Sequence, residues 1–275
     1  MSHIVPTAEL SLGYFVKYAQ LHFELLDKES TVVEFVVAFS ERAIISGDNH
    51  LYYDPYFLVQ LVSGAQGYCF MHPDDLKLSD LEGVAGKYAL DVLPHVPIYI
   101  QVALLDAVYY HLNRAERISP TATYEFHGLA CQKSLARAQK IVDLTCVTDN
   151  SRVVMVGAIA DIVREILRRG AKLQIADFSL AGTEIEGIKI QYDGTRMIEW
   201  ADTVIMTGNT LKTNTLGNLL DISQKLSKRI LVYAMTGANI APRYLDYGVS
   251  VVTSESFPYY WYAQTASIMN VYSKN

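Results

Sequence analysis

Two residues in the second half of the chain have the types and spacing expected of a nucleotide-like binding site. Gly157 follows the apolar run 153–156, where a glycine lets a ligand approach the backbone while the next helix offers unpaired N–H groups. Asp177 lies 20 residues later, where a carboxylate can accept hydrogen bonds from ribose hydroxyls. A single glycine does not make the G-x-G-x-x-G cradle of dinucleotide-binding folds. A tight turn at Gly157 and a solvated capping carboxylate at Asp177 are the alternatives.

The loop 207–215 holds the densest group of hydroxyl and amide side chains, between a predicted strand and a predicted helix. It lacks the Gly-Lys-Ser/Thr ending of a P-loop. Helix capping uses one or two such residues, so we expect the surplus to face a polar or anionic ligand. The candidate ligand-binding residues are Thr207, Gly208, Asn209, Thr210 and Asn214. Thr236 and Gly237 follow the next strand and are expected to complete the same pocket.

Metal-binding and nucleophilic motifs are weak in this sequence. The seven histidines show no H-x-x-x-H or H-E-x-x-H spacing. Cys69, Cys131 and Cys146 are too widely spaced for a zinc ribbon or a disulfide framework. A site built across domains, for example from His72 with Cys69 or Asp75, is the weaker alternative, and we predict no metal ligand. No nucleophile elbow is present, so the catalytic residues, if any, are unknown.

Tyrosine is unusually frequent, with 19 residues, several of them adjacent. Pairs lie at 52–53 and 109–110, and the run 259–262 contains three tyrosines and a tryptophan. Amphipathic rings suit a pocket wall, a core or a subunit interface. Because aromatic enrichment is typical of interfaces, we expect a homo-oligomer.

Composition excludes several classes of protein. The 275 residues carry a net charge of -6, which disfavours a nucleic-acid-binding protein. The most apolar window, 96–112, is interrupted by polar residues and is too short to span a bilayer, so no membrane partner is expected. We expect no signal peptide, because residues 1–6 lack a basic region followed by an apolar core, and we expect the three cysteines to stay reduced, which favours a cytoplasmic protein.

The pattern of elements divides the chain into two regions. From residue 150, six short apolar strands alternate with helices, which predicts a Rossmann-like, mostly parallel α/β sheet. The first region combines a helix capped by Thr7 with strands at 31–39, 43–46, 56–62 and 68–71, a turn at 47–49 and a helix at 98–113. We therefore predict an N-terminal α+β domain at 1–118, a connector and helix at 119–149, and a Rossmann-like ligand-binding domain at 150–275. In such a sheet, ligands bind at the carboxyl ends of the strands.

The second region resembles a known family, the Rossmann-like "putative heavy-metal chelation" proteins, also called DUF364. The matching segments are 154–157, 168–170, 201–210, 214–216 and 244–249. The resemblance covers roughly residues 125 to 270, and the helix segment 103–107 is similar to the family's enolase-N-terminal-like companion domain. It implies two domains with a ligand cleft between them. At 178–181 the sequence departs from the family's acidic, proline-containing turn.

Three functions fit these observations. The first is a small-molecule-binding protein that holds a polar ligand, a divalent metal or a metal chelate in the interdomain cleft, as the resemblance implies. The second is an S-adenosylmethionine-using transferase or cyclase, with Gly157 approaching the ligand and Asp177 binding its ribose. The third is a non-catalytic oligomeric module built on the tyrosine clusters.

Overall fold

The computed structural model describes residues 7–44, 51–72, 77–257, 262–263 and 265–274. The described part of the first half folds into one antiparallel sheet with helices beside it. Its elements are α1 (Leu12–Leu21), β1 (Val33–Ile44), β2 (Leu51–Leu61), β3 (Gln66–Phe70), α2 (Ala89–Val92) and α3 (Ile98–Ala115). The strands pair in the order β1-β2-β3, each antiparallel to its neighbour.

Helix α3 lies directly against this sheet. Most of its residues are fully buried, including Leu104 and Leu105. A Cβ atom at Gly67 on β3 would lie 1.9 Å from the Ala103 carbonyl oxygen, so only glycine permits this approach. The close contact fixes the position of β3 relative to α3.

The second half forms a nine-stranded sheet with helices packed on it. Its elements are β4 (Ala122–His127), α4 (Ala130–Thr145), β5 (Arg152–Val156), α5 (Ala160–Arg168), β6 (Lys172–Ala176), β7 (Glu184–Ile185), β8 (Ile188–Gln191), β9 (Thr203–Thr207), α6 (Asn209–Lys212), α7 (Leu216–Lys225), β10 (Arg229–Ala234), β11 (Val251–Ser254) and β12 (Ala266–Ser273). The strand order is β4-β12-β11-β10-β9-β5-β6-β8-β7.

Six neighbouring strands of this sheet are parallel. They run in the order β11-β10-β9-β5-β6-β8, and β4, β12 and β7 add antiparallel pairs at the two sides. Because β5 comes first in the chain and lies between β6 and β9, the strand order reverses at the β5–β9 pair. A switch of this kind opens a crevice at the carboxyl ends of the two strands. The predicted fold class, a mostly parallel Rossmann-like sheet with an N-terminal α+β unit, is confirmed.

The central strands are apolar because both faces of the sheet are covered. Val154 and Val204 point into the same core as the first half's Leu104. Met155 and Ile205 point into the opposite core with the helices α4 and α5. The first half and one face of the large sheet therefore share one continuous hydrophobic core.

The start of α1 differs from the sequence prediction. Ser11, and not Thr7, caps the helix, since the Ser11 hydroxyl accepts the Tyr14 N–H at 3.4 Å. Residues 7–9 form a separate 3-10 turn, which moves the start of the helix beyond them. The Thr7 hydroxyl instead donates to Gln224 Oε1 at 3.1 Å.

Two other local predictions also differ. Residues 43–44 continue β1 and do not begin a second strand, while 45–46 and the turn 47–49 lie outside the described residues. Residues 122–127, expected in the connector, form β4 and pair with β12. Their alternation of Ala, Tyr and Phe with Thr, Glu and His is that of a half-buried strand. The domain limits 1–118, 119–149 and 150–275 stay a prediction.

Adjacent tyrosines of the sequence differ in burial in the structure. Tyr109 is fully buried in the shared core, and its neighbour Tyr110 is 38% exposed. Residues 259–261 lie outside the described part of the chain, as do the side chains of 52–53. The predicted homo-oligomer stays a prediction.

No helix in the described part has the length and apolar character needed to cross a membrane.

Candidate functional site

A cavity of about 570 Å³ lies at the carboxyl ends of the parallel strands, where the three-stranded sheet faces them. Seven of the nine predicted site residues line it: Gly157, Asp177, Thr207, Gly208, Asn209, Thr210 and Thr236. Asn214 and Gly237 do not line it. The first half contributes Tyr56, Tyr68 and Phe70 from β2 and β3. The cavity therefore lies at the reversal of strand order and between the two sheets.

At the switch point, Gly157 lies close to the end of β9. Its φ is +93°, and a Cβ there would lie 2.1 Å from Thr207 Oγ1, the side chain at the end of β9. Its N–H donates to the Ala176 carbonyl at 2.8 Å. Glycine at this position lets the ends of β5 and β9 meet. This geometry fits both alternatives for Gly157, a tight turn and a place where a ligand can approach the backbone.

Asp177 connects two of the loops that border the cavity. One carboxylate oxygen accepts the Ala158 N–H at 2.9 Å, after β5. The other accepts the N–H groups of Ser179 at 2.8 Å and Leu180 at 3.1 Å, after β6. Three backbone donors thus hold the carboxylate in place. Asp177 thereby fixes the position of the loop after β5 relative to the loop after β6.

The loop 207–215 turns its polar groups largely toward its own backbone. The Thr210 hydroxyl donates to the Thr207 carbonyl at 2.8 Å, and the Thr213 hydroxyl lies 3.2 Å from the Asn209 carbonyl. Asn209 differs from its neighbours, because its buried Oδ1 has no hydrogen-bond partner among the described residues. Asn214 has φ +56° and closes the turn between α6 and α7.

In the loop after β10, Thr236 lines the cavity and Gly237 does not. The Thr236 hydroxyl accepts the Phe70 N–H at 3.0 Å, which ties the edge of β3 to the large sheet beside the cavity. Gly237 has φ +66° and donates its N–H to the Tyr68 carbonyl at 3.2 Å. Gly237 therefore helps to join the sheets from outside the cavity. Its predicted role in ligand binding stays a prediction.

A buried cation on α4 lines the same cavity. Arg137 is 3% exposed, and its Nη1 lies 3.5 Å from Oε2 of Glu255, which is 2% exposed. The guanidinium carbon also lies 5.6 Å from the centre of the Tyr233 ring, within the range of cation–π attraction. Burial raises the pKa of Glu255, and the neighbouring Arg137 opposes that shift. A positive charge therefore lines the cavity, and the acid beside that charge resists ionisation.

Lys212 and an aromatic pair complete the wall. Lys212 Nζ donates to the Phe70 carbonyl at 3.1 Å and lies 5.5 Å from the Phe70 ring centre. Phe178 and Tyr192 follow β6 and β8, with ring centres 4.7 Å apart. They are 41% and 66% exposed, so they stand at the open side of the cavity. Planar ligands pack well on such rings.

Sequence reasoning missed Arg137 and the aromatic residues of β2 and β3. Arg137 lies one helical turn before Ile141, and both are buried, so the periodicity of α4 places the arginine on the inward face. That signal could have singled out Arg137. Tyr68 and Phe70 gave no signal, because their place opposite the switch point depends on how the two halves pack.

The packing of the two halves is set by a buried carboxylate on α3. Asp106 is 1% exposed, and its Oδ1 accepts the N–H groups of Asn239 at 2.7 Å and Ile240 at 3.3 Å. Its Oδ2 accepts the Tyr68 N–H at 3.2 Å. Burial raises the pKa of Asp106 well above its usual range, and the backbone donors oppose this shift. Asp106 thereby holds β3 and the loop after β10, which face each other at the cavity.

Metal-ligating side chains are not concentrated here. Among the described residues, no group of three or more His, Cys, Asp or Glu has an arrangement that could hold a metal ion. The carboxylates that line the cavity are Asp177, held by backbone donors, and Asp193, which accepts the Thr195 N–H at 2.9 Å and its hydroxyl at 2.6 Å. His72 is exposed, Cys69 is buried, and Asp75 lies outside the described part. The donor set of this cavity does not fit a bare metal ion.

The second region is similar to a family of known proteins. Residues 140–255 match the family model DUF364, described as "Putative heavy-metal chelation". A DUF364 protein of unknown function from Desulfitobacterium hafniense DCB-2 superimposes with a TM-score of 0.62 at 13% identity, covering 95% of this chain and 100% of that chain. A second, from Pyrococcus horikoshii, gives 0.55 at 14% identity, covering 96% and 99%. At these identities the likeness concerns the fold alone. No curated protein matches the chain.

Proposed function

We propose that the protein binds a small organic molecule, free or as a metal chelate, because residues 140–255 match the family model DUF364, described as "Putative heavy-metal chelation". The ligand occupies the cavity between the two sheets. Any metal is held by the organic ligand, since the described residues of the cavity wall do not supply a set of metal donors.

The position and lining of the cavity carry this proposal. A volume of about 570 Å³ lies within the range of small-molecule sites, roughly 300–1,000 Å³. Apolar and aromatic side chains form most of the wall, with a few polar groups at the strand ends, as in most ligand pockets. The strand-order reversal between β5 and β9 is where open α/β sheets bind ligands.

The alternative of an S-adenosylmethionine-using enzyme has no comparable support. It assigned ribose binding to Asp177, whose two oxygens already accept three backbone N–H groups. The aromatic walls expected around a sulfonium are present, but they suit many planar ligands equally well. We therefore do not propose this activity.

The proposal is tested with N-phenyl-1-naphthylamine, a neutral probe whose fluorescence rises in apolar sites. Ala160→Trp places an indole at the first residue of α5, on the cavity wall, and Asn218→Trp approaches the cavity from α7. Ala115→Trp is the control, because Ala115 is exposed at the end of α3, away from the cavity.

We expect the wild type and Ala115→Trp to bind the probe with one site and similar affinity. Each cavity-filling variant should weaken binding at least about tenfold, a loss of about 1.4 kcal/mol. Circular dichroism establishes that the variants are folded. Equal affinity in all four proteins, or no saturable binding in the wild type, would contradict the proposed function.

A further inference from the structure

The cavity contains a fully buried guanidinium that the fold places on its wall. We propose that Arg137 is the anchor for an anionic group of the ligand, a carboxylate or another oxyanion. This inference rests on the proposed function and specifies the chemical class of the ligand: a planar or apolar body with a negatively charged group.

Arg137 has the burial and geometry of an anchor. It lies on α4, is 3% exposed and lines the cavity. Arginine presents a rigid fork of donors that matches a carboxylate with two parallel hydrogen bonds. A desolvated arginine on a pocket wall is therefore well placed to bind an oxyanion that enters from solvent.

The contacts of Arg137 with Glu255 and Ser134 are longer than charge-assisted hydrogen bonds. Arg137 Nη1 lies 3.5 Å from Glu255 Oε2, whereas charge-assisted N–H···O bonds are roughly 2.7–2.9 Å long. The Ser134 hydroxyl lies 3.4 Å from Nη2, also at the long end of the range. Burial favours the neutral form of Glu255, which makes it a weaker partner for the guanidinium than an ionised ligand.

In addition to the carboxylates of Asp177 and Asp193, the cavity wall has two further groups that carry positive charge. The residues 157–160 line it and lead into α5, whose N-terminus has no side-chain cap hydrogen bond. The backbone N–H groups of that helix start carry partial positive charge toward the cavity. Lys212 adds a second cation on the wall. These groups come from three different elements and surround one space, although the whole chain has a net charge of -6.

The experiment compares two probes that differ only in charge. 8-Anilino-1-naphthalenesulfonate carries a sulfonate, and N-phenyl-1-naphthylamine has the same ring system without it. Both are titrated against the wild type, Arg137→Met, Glu255→Gln and the double variant Arg137→Met with Glu255→Gln. The double variant is included because Arg137→Met alone leaves Glu255 buried without its cation, and the double variant has neither charge.

We expect Arg137→Met and the double variant to weaken binding of the sulfonate probe at least about tenfold. Binding of the neutral probe should change less than about twofold, since no charge is involved. Glu255→Gln should strengthen binding of the sulfonate probe, because a competing acid is removed. Both probes must lose affinity in Ala160→Trp, which places them in the cavity.

Different failures separate the two proposals. If the probes bind the cavity but Arg137→Met and the double variant weaken both equally, or neither, then Arg137 is only a partner of Glu255 and the inference is overturned. If Ala160→Trp leaves both affinities unchanged, the proposed function itself fails.

Discussion

At the scale of single residues, the cavity depends on positions where the backbone leaves no room for a side chain. Gly157 combines a left-handed φ of +93° with a contact that would place a Cβ 2.1 Å from Thr207 Oγ1. Gly182 shares the left-handed conformation, with φ +86°, but a Cβ there meets nothing within 4 Å. A comparison of substitutions at Gly157 and Gly182 therefore distinguishes the cost of backbone strain from the cost of steric contact.

We expect Gly182→Ala to destabilise the fold by about 1 kcal/mol, from the strain of a positive φ alone. Gly157→Ala should cost about 2–4 kcal/mol, because the ends of β5 and β9 must also move apart. Thr207→Ala should recover part of that loss, which urea denaturation of the double variant measures. Equal costs at the two glycines would show that the contact with Thr207 has no energetic weight.

At the scale of elements, α4 and α5 are joined by charged groups around one buried carboxylate. Glu165 on α5 is 1% exposed, and its Oε1 accepts Arg169 Nε at 2.8 Å while its Oε2 accepts Arg168 Nε at 2.7 Å. Arg169 also reaches Asp143 on α4 at 2.5 Å. Hydrogen bonding from Arg168, followed by Arg169, holds the pKa of Glu165 below its ordinary value against the effect of burial.

The lowered pKa of Glu165 determines the direction in which the stability of the fold changes with pH. A carboxyl with a lowered pKa in the folded state stabilises the fold above its unfolded pKa of about 4.3, and loses that contribution as the pH falls through the lower value. We expect Glu165→Gln to reduce the free energy of unfolding by about 1–3 kcal/mol at pH 7, and the difference from wild type to shrink below about pH 4. Glu184→Gln, at an exposed glutamate on β7, is the control. A deficit that stays constant down to pH 2 would refute the assignment.

The elements of the sheet were the part most accessible to sequence reasoning. Runs such as 153–156 and 203–207 are apolar because both sheet faces are covered. The local sequence is therefore enough to predict each of these strands. The strand-end rule then brought Gly157, Asp177 and Thr207 to one edge. It did not place Gly237, since the direction of the turn after β10 follows from its hydrogen bond to Tyr68, which is remote in sequence.

The cavity's other wall depends on tertiary packing. Phe70 and Tyr68 lie on a strand whose position is set by Gly67 against α3 and by Thr236 at the end of β10. The contact of Gly67 with Ala103 spans 36 positions of the sequence and that of Phe70 with Thr236 spans 166, and no local pattern encodes either contact. Arg137 was missed because an arginine in a helix is read as a surface residue, although its spacing from Ile141 placed it inside.

At the scale of the whole molecule, the two halves behave as one packed unit around a shared core. Asp106 on α3 accepts N–H groups from the loop after β10 and from β3, and so holds the two walls of the cavity together. The halves also meet through Arg243, whose Nε donates to Asn113 Oδ1 at 3.0 Å and whose Nη1 lies 2.5 Å from Glu116 Oε2. Cavity shape and global stability should therefore respond to the same contacts.

We expect Asp106→Ala to lower the free energy of unfolding by about 2–4 kcal/mol, because buried N–H donors lose their acceptor. It should also weaken binding of N-phenyl-1-naphthylamine, although Asp106 does not line the cavity. Asp91→Ala, at an exposed aspartate on α2, should change stability by less than about 0.5 kcal/mol. Denaturation and fluorescence titration measure both quantities. Unchanged probe affinity in a destabilised Asp106→Ala would separate the cavity from the junction of the halves.

The most direct test of a ligand site between the sheets is a crystal structure of the wild-type protein with N-phenyl-1-naphthylamine bound. We predict density for the naphthalene ring in contact with Ala160 and with the aromatic residues of β2 and β3, at the carboxyl ends of β5 and β9. Density for the probe only on the outer surface, with the space at the switch point filled by side chains, would contradict the account.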